Sequence, residues 1–170
     1  DPYYLGLWLG DGTKRTTAIT TADKETEDFL VDYADKVGLR IREELKDNCK
    51  TLHLVNKKGV ENPIFESLRY LRVTVEKHVP DLYKEASIED RMSLLQVLMD
   101  TDGTINSGGS DISFVSASKI LAYDVLELAR SLGIHAKIEY KVGNYTKKDG
   151  ELNTFYKVLM YTDKPVFRLS

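Results

Sequence analysis

Apolar and polar positions divide this chain into helices and strands that follow one another in a regular order. Apolar residues recur at helical spacing in five stretches, which predicts helices over residues 1–10, 23–37, 62–72, 88–101 and 118–132. Alternating or β-branched stretches predict strands near residues 16–21, 39–45, 51–57, 112–114, 134–142 and 154–162. Residues 163–170 are expected to begin another helix. Helices that alternate with pairs of strands indicate an α+β fold built from antiparallel hairpins.

The same order of elements occurs twice along the chain. Residues 21–24 have a counterpart 95 residues later at 116–119, and Gly38-Leu39 has one at Gly133-Ile134 with the same offset. A repeated set of elements implies a repeated supersecondary unit. The sequence therefore predicts two pseudo-symmetric repeats, residues 1–85 and 86–170, each with a helix–hairpin–helix–hairpin–helix plan.

Each repeat opens with a short apolar helix that ends in an aspartate and a glycine. The motif stretches cover residues 4–12 and 94–103, and their acidic ends are Asp11 and Asp102. We expect each glycine to stop its helix by adopting positive φ. An aspartate at a helix C-terminus is locally unfavourable, because that end already carries partial negative charge. One Asp-Gly pair is an ordinary turn, but two at matching places suggest that a divalent cation offsets the cost.

The two stretches resemble the paired motifs of the LAGLIDADG homing endonucleases. The second copy matches the motif at Leu95, Leu98, Asp100, Asp102 and Gly103. The first copy matches at Gly6, Leu7, Asp11 and Gly12, and departs at Leu9, where the family has its first aspartate. Its form, GLWLGDG, is similar to the first motif of endonucleases carried inside fungal inteins.

The resemblance implies a fold and an activity. The fold is two αββαββα repeats with the motif helices packed at the centre and antiparallel sheets that form a DNA-binding saddle. The activity is site-specific cleavage of both strands of a long, asymmetric DNA target by a monomer. The cofactor is Mg²⁺, with Mn²⁺ as a substitute, held by Asp11 and Asp102 as catalytic metal ligands. Asp100 has no symmetric counterpart, so we expect a helix cap or a structural acid there.

A lysine that lines the active site is also implied by the resemblance. Residues 76–80, Glu-Lys-His-Val-Pro, are similar to the segment before the second motif of intein endonucleases, and this match assigns the role to Lys77. Lys164 falls too early to be its counterpart. The second-half lysine is therefore expected either to lie outside this sequence or to be missing. Without the family, Lys77 is equally well an ordinary surface lysine.

Basic side chains on the predicted strands are candidates for DNA contact, because a two-stranded ribbon fits the major groove. They are Arg40, Arg42, His53 and Lys57 in the first repeat, and His135, Lys137, Lys141 and Lys157 in the second. The alternative is a solvated sheet face, and the residues alone favour neither reading.

The net charge of −3 is the main evidence against a nucleic-acid partner. Acidic residues slightly outnumber basic ones in both halves, so a DNA-binding surface requires local segregation of charge. The negative net charge and the lack of a visible counterpart of Lys77 favour an alternative function. In this alternative the protein is a degenerate relative that binds DNA or RNA without cutting it. A protein-interaction domain is a weaker alternative. The single cysteine excludes an internal disulfide, and no apolar run is long enough to cross a membrane. An intracellular location, nuclear or cytoplasmic, is expected.

Overall fold

The computed structural model describes residues 1–46, 48–105, 112–146 and 152–169. Its helices are α1 (Pro2–Asp11), α2 (Lys24–Lys36), α3 (Pro63–Tyr70), α4 (Asp81–Lys84), α5 (Ile88–Asp102) and α6 (Lys119–Ser131). Its strands are β1 (Ala18–Thr21), β2 (Arg40–Lys46), β3 (Cys49–Val55), β4 (Gly103–Ile105), β5 (Ile112–Ser116), β6 (His135–Thr146) and β7 (Leu152–Tyr161). The mixture of helices and antiparallel strands confirms the predicted α+β class.

The chain forms two compact units. The larger unit holds residues 1–6 and 77–170, and the smaller unit holds residues 7–76. The helix α1 therefore contributes its first turn to the larger unit and its remainder to the smaller one. The predicted repeat boundary between residues 85 and 86 is a property of the sequence and stays a prediction. None of the helices within the described residues is long and apolar enough to span a bilayer.

The smaller unit is a three-stranded antiparallel sheet with the order β1-β3-β2, and α2 packs on it. One face of the sheet carries the alternate residues Ile19, Leu52 and Leu54, which are buried. The apolar side of α2 covers this face through Leu30 and Ala34, also buried. Removing these aliphatic side chains from water supplies the main stabilisation of the unit. The opposite face of the sheet is the polar one.

The larger unit is a four-stranded antiparallel sheet with the order β4-β5-β7-β6, on which α6 packs. Phe114 and Val158 are paired across β5 and β7 and are fully buried. The first turn of α1 lies against α5, where a Cβ on Gly6 would come within 2.9 Å of the Val97 side chain. The first turn of α1 thus packs closely on α5 at Gly6, as expected for motif helices that pack against each other.

The ends of the second helix in each repeat are built in the same way. Asp23 and Ser118 cap α2 and α6 by accepting backbone N–H bonds with their side chains, and they are 95 residues apart. Both helices then stop at glycines with φ of 73°, Gly38 and Gly133. These matched caps show that the sequence repeat is also a structural repeat.

Two predicted elements differ from the structure. The first hairpin of the first repeat is reduced to β1 and an isolated bridge between Gly12 and Ile19, whereas the second repeat has the paired strands β4 and β5. The helix expected to begin at residue 163 is wrong for residues 163–169, which form no helix. The reason is that hydrogen bonds to side chains of α5 fix the path of this segment. Pro165 offers its carbonyl to Gln96, and the backbone N–H groups of Arg168 and Leu169 donate to Asp100.

Candidate functional site

The predicted acids are the last residues of the two motif helices, Asp11 on α1 and Asp102 on α5. The glycines after them were expected to take positive φ, and this expectation is wrong, since neither is in the left-handed region. A Cβ on Gly12 would lie 2.2 Å from the Trp8 carbonyl oxygen, and one on Gly103 would lie 2.2 Å from that of Met99. Glycine is therefore required for close packing on the last helical turn.

The carboxylate of Asp102 is partly buried in the larger unit. Burial raises its pKa, and the positive charge of Lys77 acts in the opposite direction and lowers it. The structure thus brings Lys77 into electrostatic range of Asp102, although 25 residues separate them in the chain. Two of the three predicted catalytic residues therefore interact electrostatically.

The third predicted catalytic residue, Asp11, ends α1 in the smaller unit and is exposed. A site shared by Asp11 and Asp102 stays a prediction, because the two residues belong to different units. Within the described residues no group of three or more His, Cys, Asp and Glu side chains could hold a metal by itself. Mg²⁺ commonly binds one or two carboxylates and takes its other oxygens from water and substrate. A partly buried, charged Asp102 fits that role, because a cation would offset the cost of its burial.

Asp100 lies two residues before the end of α5 and holds the C-terminal segment. Its Oδ1 accepts the backbone N–H groups of Arg168 at 3.0 Å and Leu169 at 3.2 Å. The interpretation as a structural acid is therefore supported by its contacts. The corresponding residue of α1 is Leu9, which is buried among apolar groups.

The segment that carries Lys77 is fastened to α6 by a residue that the sequence reasoning missed. Asp124 is 7% exposed and accepts the backbone N–H of Val79 at 2.8 Å, and its other oxygen lies 2.6 Å from Lys84 Nζ. The available signal was a carboxylate among buried apolar residues of a predicted helix. Lys164 donates to the Leu132 carbonyl at the end of α6, so it caps a helix.

The basic residues of the first sheet lie as predicted, with one exception. Arg40, Arg42 and His53 share the polar face, since Arg42 and His53 are directly paired between β2 and β3. Lys57 lies beyond the end of β3. Glu44 on the same face lies 3.1 Å from the Arg42 guanidinium and 3.3 Å from the His53 ring. This carboxylate competes with any phosphate for the two groups.

The basic residues of the second sheet all lie on one face of β6 and β7. They are His135, Lys137, Lys141 and Lys157. Glu139 sits between them, opposite Lys157 and 3.2 Å from the Lys137 ammonium. Tyr161 pairs with His135 across the strands, and the Lys137 ammonium lies over its ring. The face therefore combines cations with an aromatic ring and one carboxylate.

Comparison with known proteins gives three kinds of match. Residues 89–165 match the model of the LAGLIDADG-like domain. The chain is 33% identical over 168 residues to a replicative DNA helicase DnaB of Mycobacterium intracellulare, and 29% identical over 162 residues to a SufBD-family iron–sulfur cluster assembly protein of Mycobacterium leprae. These matches cover 99% and 89% of this chain but only 25% and 18% of the two relatives.

Solved structures match over nearly the whole chain. Mesophilic variants of the homing endonuclease I-DmoI superimpose with a TM-score of 0.63 at 15% identity, covering 97% of this chain and 89% of that one. I-DmoI in complex with DNA and Ca gives a TM-score of 0.62 at 15% identity, covering 97% and 83%. Residues 89–165 are therefore similar to the LAGLIDADG-like domain, and the chain as a whole has the fold of the LAGLIDADG homing endonucleases.

Proposed function

We propose that this protein is a site-specific DNA endonuclease that hydrolyses both strands of a long, asymmetric target with a divalent metal, Mg²⁺ in the first place and Mn²⁺ as a substitute. The observation that carries the proposal is the electrostatic interaction of Lys77 with the partly buried Asp102 at the end of a motif helix. Asp11, at the equivalent helix end, is the second metal ligand. Solved structures of the same fold contain target DNA together with Mn, Mg or Ca, which supports this assignment.

Asp11, Asp102 and Lys77 have separate roles in phosphodiester hydrolysis. Asp11 and Asp102 offer carboxylate oxygens, which are the ligands that hard divalent cations prefer. A bound cation would supply Lewis-acid stabilisation of the phosphate and a lowered pKa of a coordinated water. The Lys77 ammonium offsets negative charge that develops on the phosphate, and the partly buried surroundings strengthen its effect.

DNA binding falls to the polar faces of the two sheets. The first face offers Arg40, Arg42 and His53, with Lys57 beyond the strand end. The second offers His135, Lys137, Lys141 and Lys157. Strands of this kind can read base edges in the major groove, and lysines and arginines can bind phosphates. Two different faces in one chain suit an asymmetric site, so the protein acts as a monomer.

The curated relatives support an inserted, intein-like origin. The chain spans about a quarter of one relative's length and less than a fifth of the other's, and their names describe unrelated activities. A segment shared by two such proteins is expected if it was inserted into each as a separate element. Cleavage of an uninterrupted copy of the gene would then allow the element to be copied into it, which is called homing. A chain that cuts cellular DNA works inside the cell.

The proposal is tested by cleavage of a supercoiled plasmid. The plasmid carries the gene that encodes this chain, from which the coding segment for residues 1–170 and its surrounding insertion have been removed. We expect linear product with Mg²⁺ or Mn²⁺ and none with EDTA. A plasmid that carries the interrupted gene is the matched control and should remain uncut. Uncut plasmid under every metal condition, with binding retained, would overturn nuclease activity.

A second candidate function is binding of DNA or RNA without cleavage. Glu44 and Glu139 favour it, because each carboxylate already engages basic groups of its sheet face in the absence of nucleic acid. The plasmid assay separates the two functions when it is combined with a gel shift. Retained binding without cutting would favour the second, and loss of both would leave only a protein-interaction role.

A further inference from the structure

Asp124 is a buried carboxylate that the proposed metal chemistry does not use. It lies on α6 beside the buried side chains of Leu121 and Val125 and is 7% exposed. Burial of a carboxylate is unfavourable unless hydrogen bonds and an opposite charge compensate it. Asp124 has both, in the backbone N–H of Val79 at 2.8 Å and the ammonium of Lys84 at 2.6 Å.

Both partners belong to the connector that presents Lys77. We call residues 77–84 the lysine connector. Val79 is two residues beyond Lys77, and its side chain is buried. Lys84 closes the single turn of α4 and also contacts Glu127 at 3.0 Å. Burial acts to lower the pKa of Lys84, but hydrogen bonds to Asp124 and Glu127 outweigh it and raise the pKa. The lysine connector is thus bound to one carboxylate at two points.

The lysine connector has little regular structure of its own. Residues 71–80 contain no helix or strand, and α4 has only four residues. Its path therefore depends on side-chain bonds from a rigid neighbour, and α6 is such a neighbour with thirteen helical residues. The repeat counterpart of Asp124 is Phe29 on α2, which stacks on Tyr33. The carboxylate is therefore a feature of the second repeat alone.

We propose that Asp124 is a positioning residue for DNA cleavage. Its hydrogen bond to the Val79 amide sets the path of the lysine connector and so keeps Lys77 within electrostatic range of Asp102. Asp124 touches no reacting group and acts only through Lys77. This inference rests on the proposed function, in which Lys77 offsets charge on the phosphate.

A matched pair of variants isolates the hydrogen bond. Asp124→Asn with Lys84→Met keeps an oxygen that can accept from Val79, whereas Asp124→Leu with Lys84→Met does not. The two double variants have the same charge, and their residues at position 124 have the same number of side-chain heavy atoms with the same branching at Cγ. The first readout needs no nuclease activity: the rate at which an acylating reagent modifies Lys77, measured by mass spectrometry on protein that a thermal melt shows to be folded. We expect the rate in the leucine variant to differ severalfold from that in the asparagine variant, which should behave like the parent.

Equal acylation rates of Lys77 in the two double variants would overturn the proposal. If the leucine variant does not fold, Val79→Pro removes the amide hydrogen from the other side of the same bond and takes its place in the comparison. Glu127→Gln is the control for general disturbance of Lys84, and it should leave Lys77 unchanged.

The second readout is single-turnover cleavage of the plasmid target with and without Lys77→Met. Loss of the hydrogen bond should slow cutting about tenfold when Lys77 is present, because small misplacements of catalytic groups are costly. It should have almost no effect in the Lys77→Met background, since residues that act through one another are not additive. Equal slowing in both backgrounds would show a merely structural role. If Lys77→Met itself cuts at the parent rate, the proposed role of Lys77 fails, and the acylation comparison still decides whether Asp124 positions it.

Discussion

The two motif helices end in the same way but are held by different surroundings. Both stop at an aspartate followed by a glycine that packs on the carbonyl four residues earlier. The two repeats differ at two pairs of matched positions: buried Leu9 corresponds to Asp100, and Phe29 on α2 corresponds to Asp124 on α6. Each acid in the second repeat binds backbone N–H groups of another segment. The two repeats are thus alike at the ends of their motif helices. They differ where Asp100 and Asp124 of the second repeat bind other segments of the chain.

The largest expected effect tests whether the two helix ends are equivalent. Asp11→Asn and Asp102→Asn should each reduce double-strand cleavage by about a thousandfold or more, because each removes a charged metal ligand. DNA affinity should remain largely intact, since neither carboxylate attracts phosphate. Cleavage is measured on supercoiled plasmid and affinity by gel shift in Ca²⁺. Normal cutting by either variant would disprove the two-aspartate site, and a melt must show that both variants fold.

Substitution of either glycine after the aspartates should destabilise the protein to a similar extent, because both glycines pack on a backbone carbonyl. Gly12→Ala and Gly103→Ala each place a Cβ 2.2 Å from a backbone oxygen, so the last helical turn must shift. We expect each to lower the free energy of unfolding by about 2–4 kcal/mol, the range of substitutions that force a backbone rearrangement. The measurement is urea denaturation.

Gly38→Ala is the matched control for this pair. It meets nothing within 4 Å, and its penalty is only that of positive φ, about 1–2 kcal/mol. A smaller loss at Gly12 or Gly103 than at Gly38 would contradict the packing explanation.

Lys77→Met tests the asymmetry of the chemistry. We expect strand cutting to slow by about ten- to a hundredfold, while binding weakens much less, because the ammonium acts on charge that develops in the transition state. If the second-half lysine is absent, one strand depends on Lys77 more than the other, and nicked plasmid should accumulate. Parent rates of both nicking and linearisation would mean that Lys77 is a surface lysine.

Salt dependence compares the two sheet faces. Affinity for DNA should fall steeply with salt despite the net charge of −3, because each phosphate contact releases counterions. Replacing Arg40 and Arg42, or Lys137 and Lys141, with Met should reduce the log–log slope by about one for each lost phosphate contact. A parent slope near zero would rule out the predicted DNA-binding saddle.

The carboxylates on these faces offer a finer test of the same surface. Glu44→Gln and Glu139→Gln free their basic partners and remove a negative charge, so each should tighten binding a few-fold. Thr51→Val changes a residue on the first face without changing its charge and serves as the control.

The sequence was sufficient for features that repeat or alternate. The helices around Leu30 and Val125 and the strand pairs β2-β3 and β6-β7 follow from local periodicity, and the structure confirms them. The role of Asp124 was not predictable, because its partners lie 40 and 45 residues away and no local pattern links them. The helix expected after residue 162 failed for the same reason, since the bonds to Asp100 come from a distant part of the chain.

The smallest expected effect concerns the free-energy cost of keeping the partly buried carboxylate of Asp102 charged. Burial raises its pKa above the ordinary value of 3.8, and Lys77 opposes this only in part. Between the two pKa values the folded state binds more protons than the unfolded chain, so stability falls as pH rises from 3.8 through the folded-state pKa.

Asp102→Asn removes this loss and should melt a few degrees higher than the parent at pH 7, with the difference shrinking toward pH 4. Adding Lys77→Met to both proteins should widen the gap at Asp102, because the lysine lowers that pKa. A gap that does not depend on pH, or a parent that melts higher than Asp102→Asn at pH 7, would show that Asp102 carries no burial cost for a metal to offset.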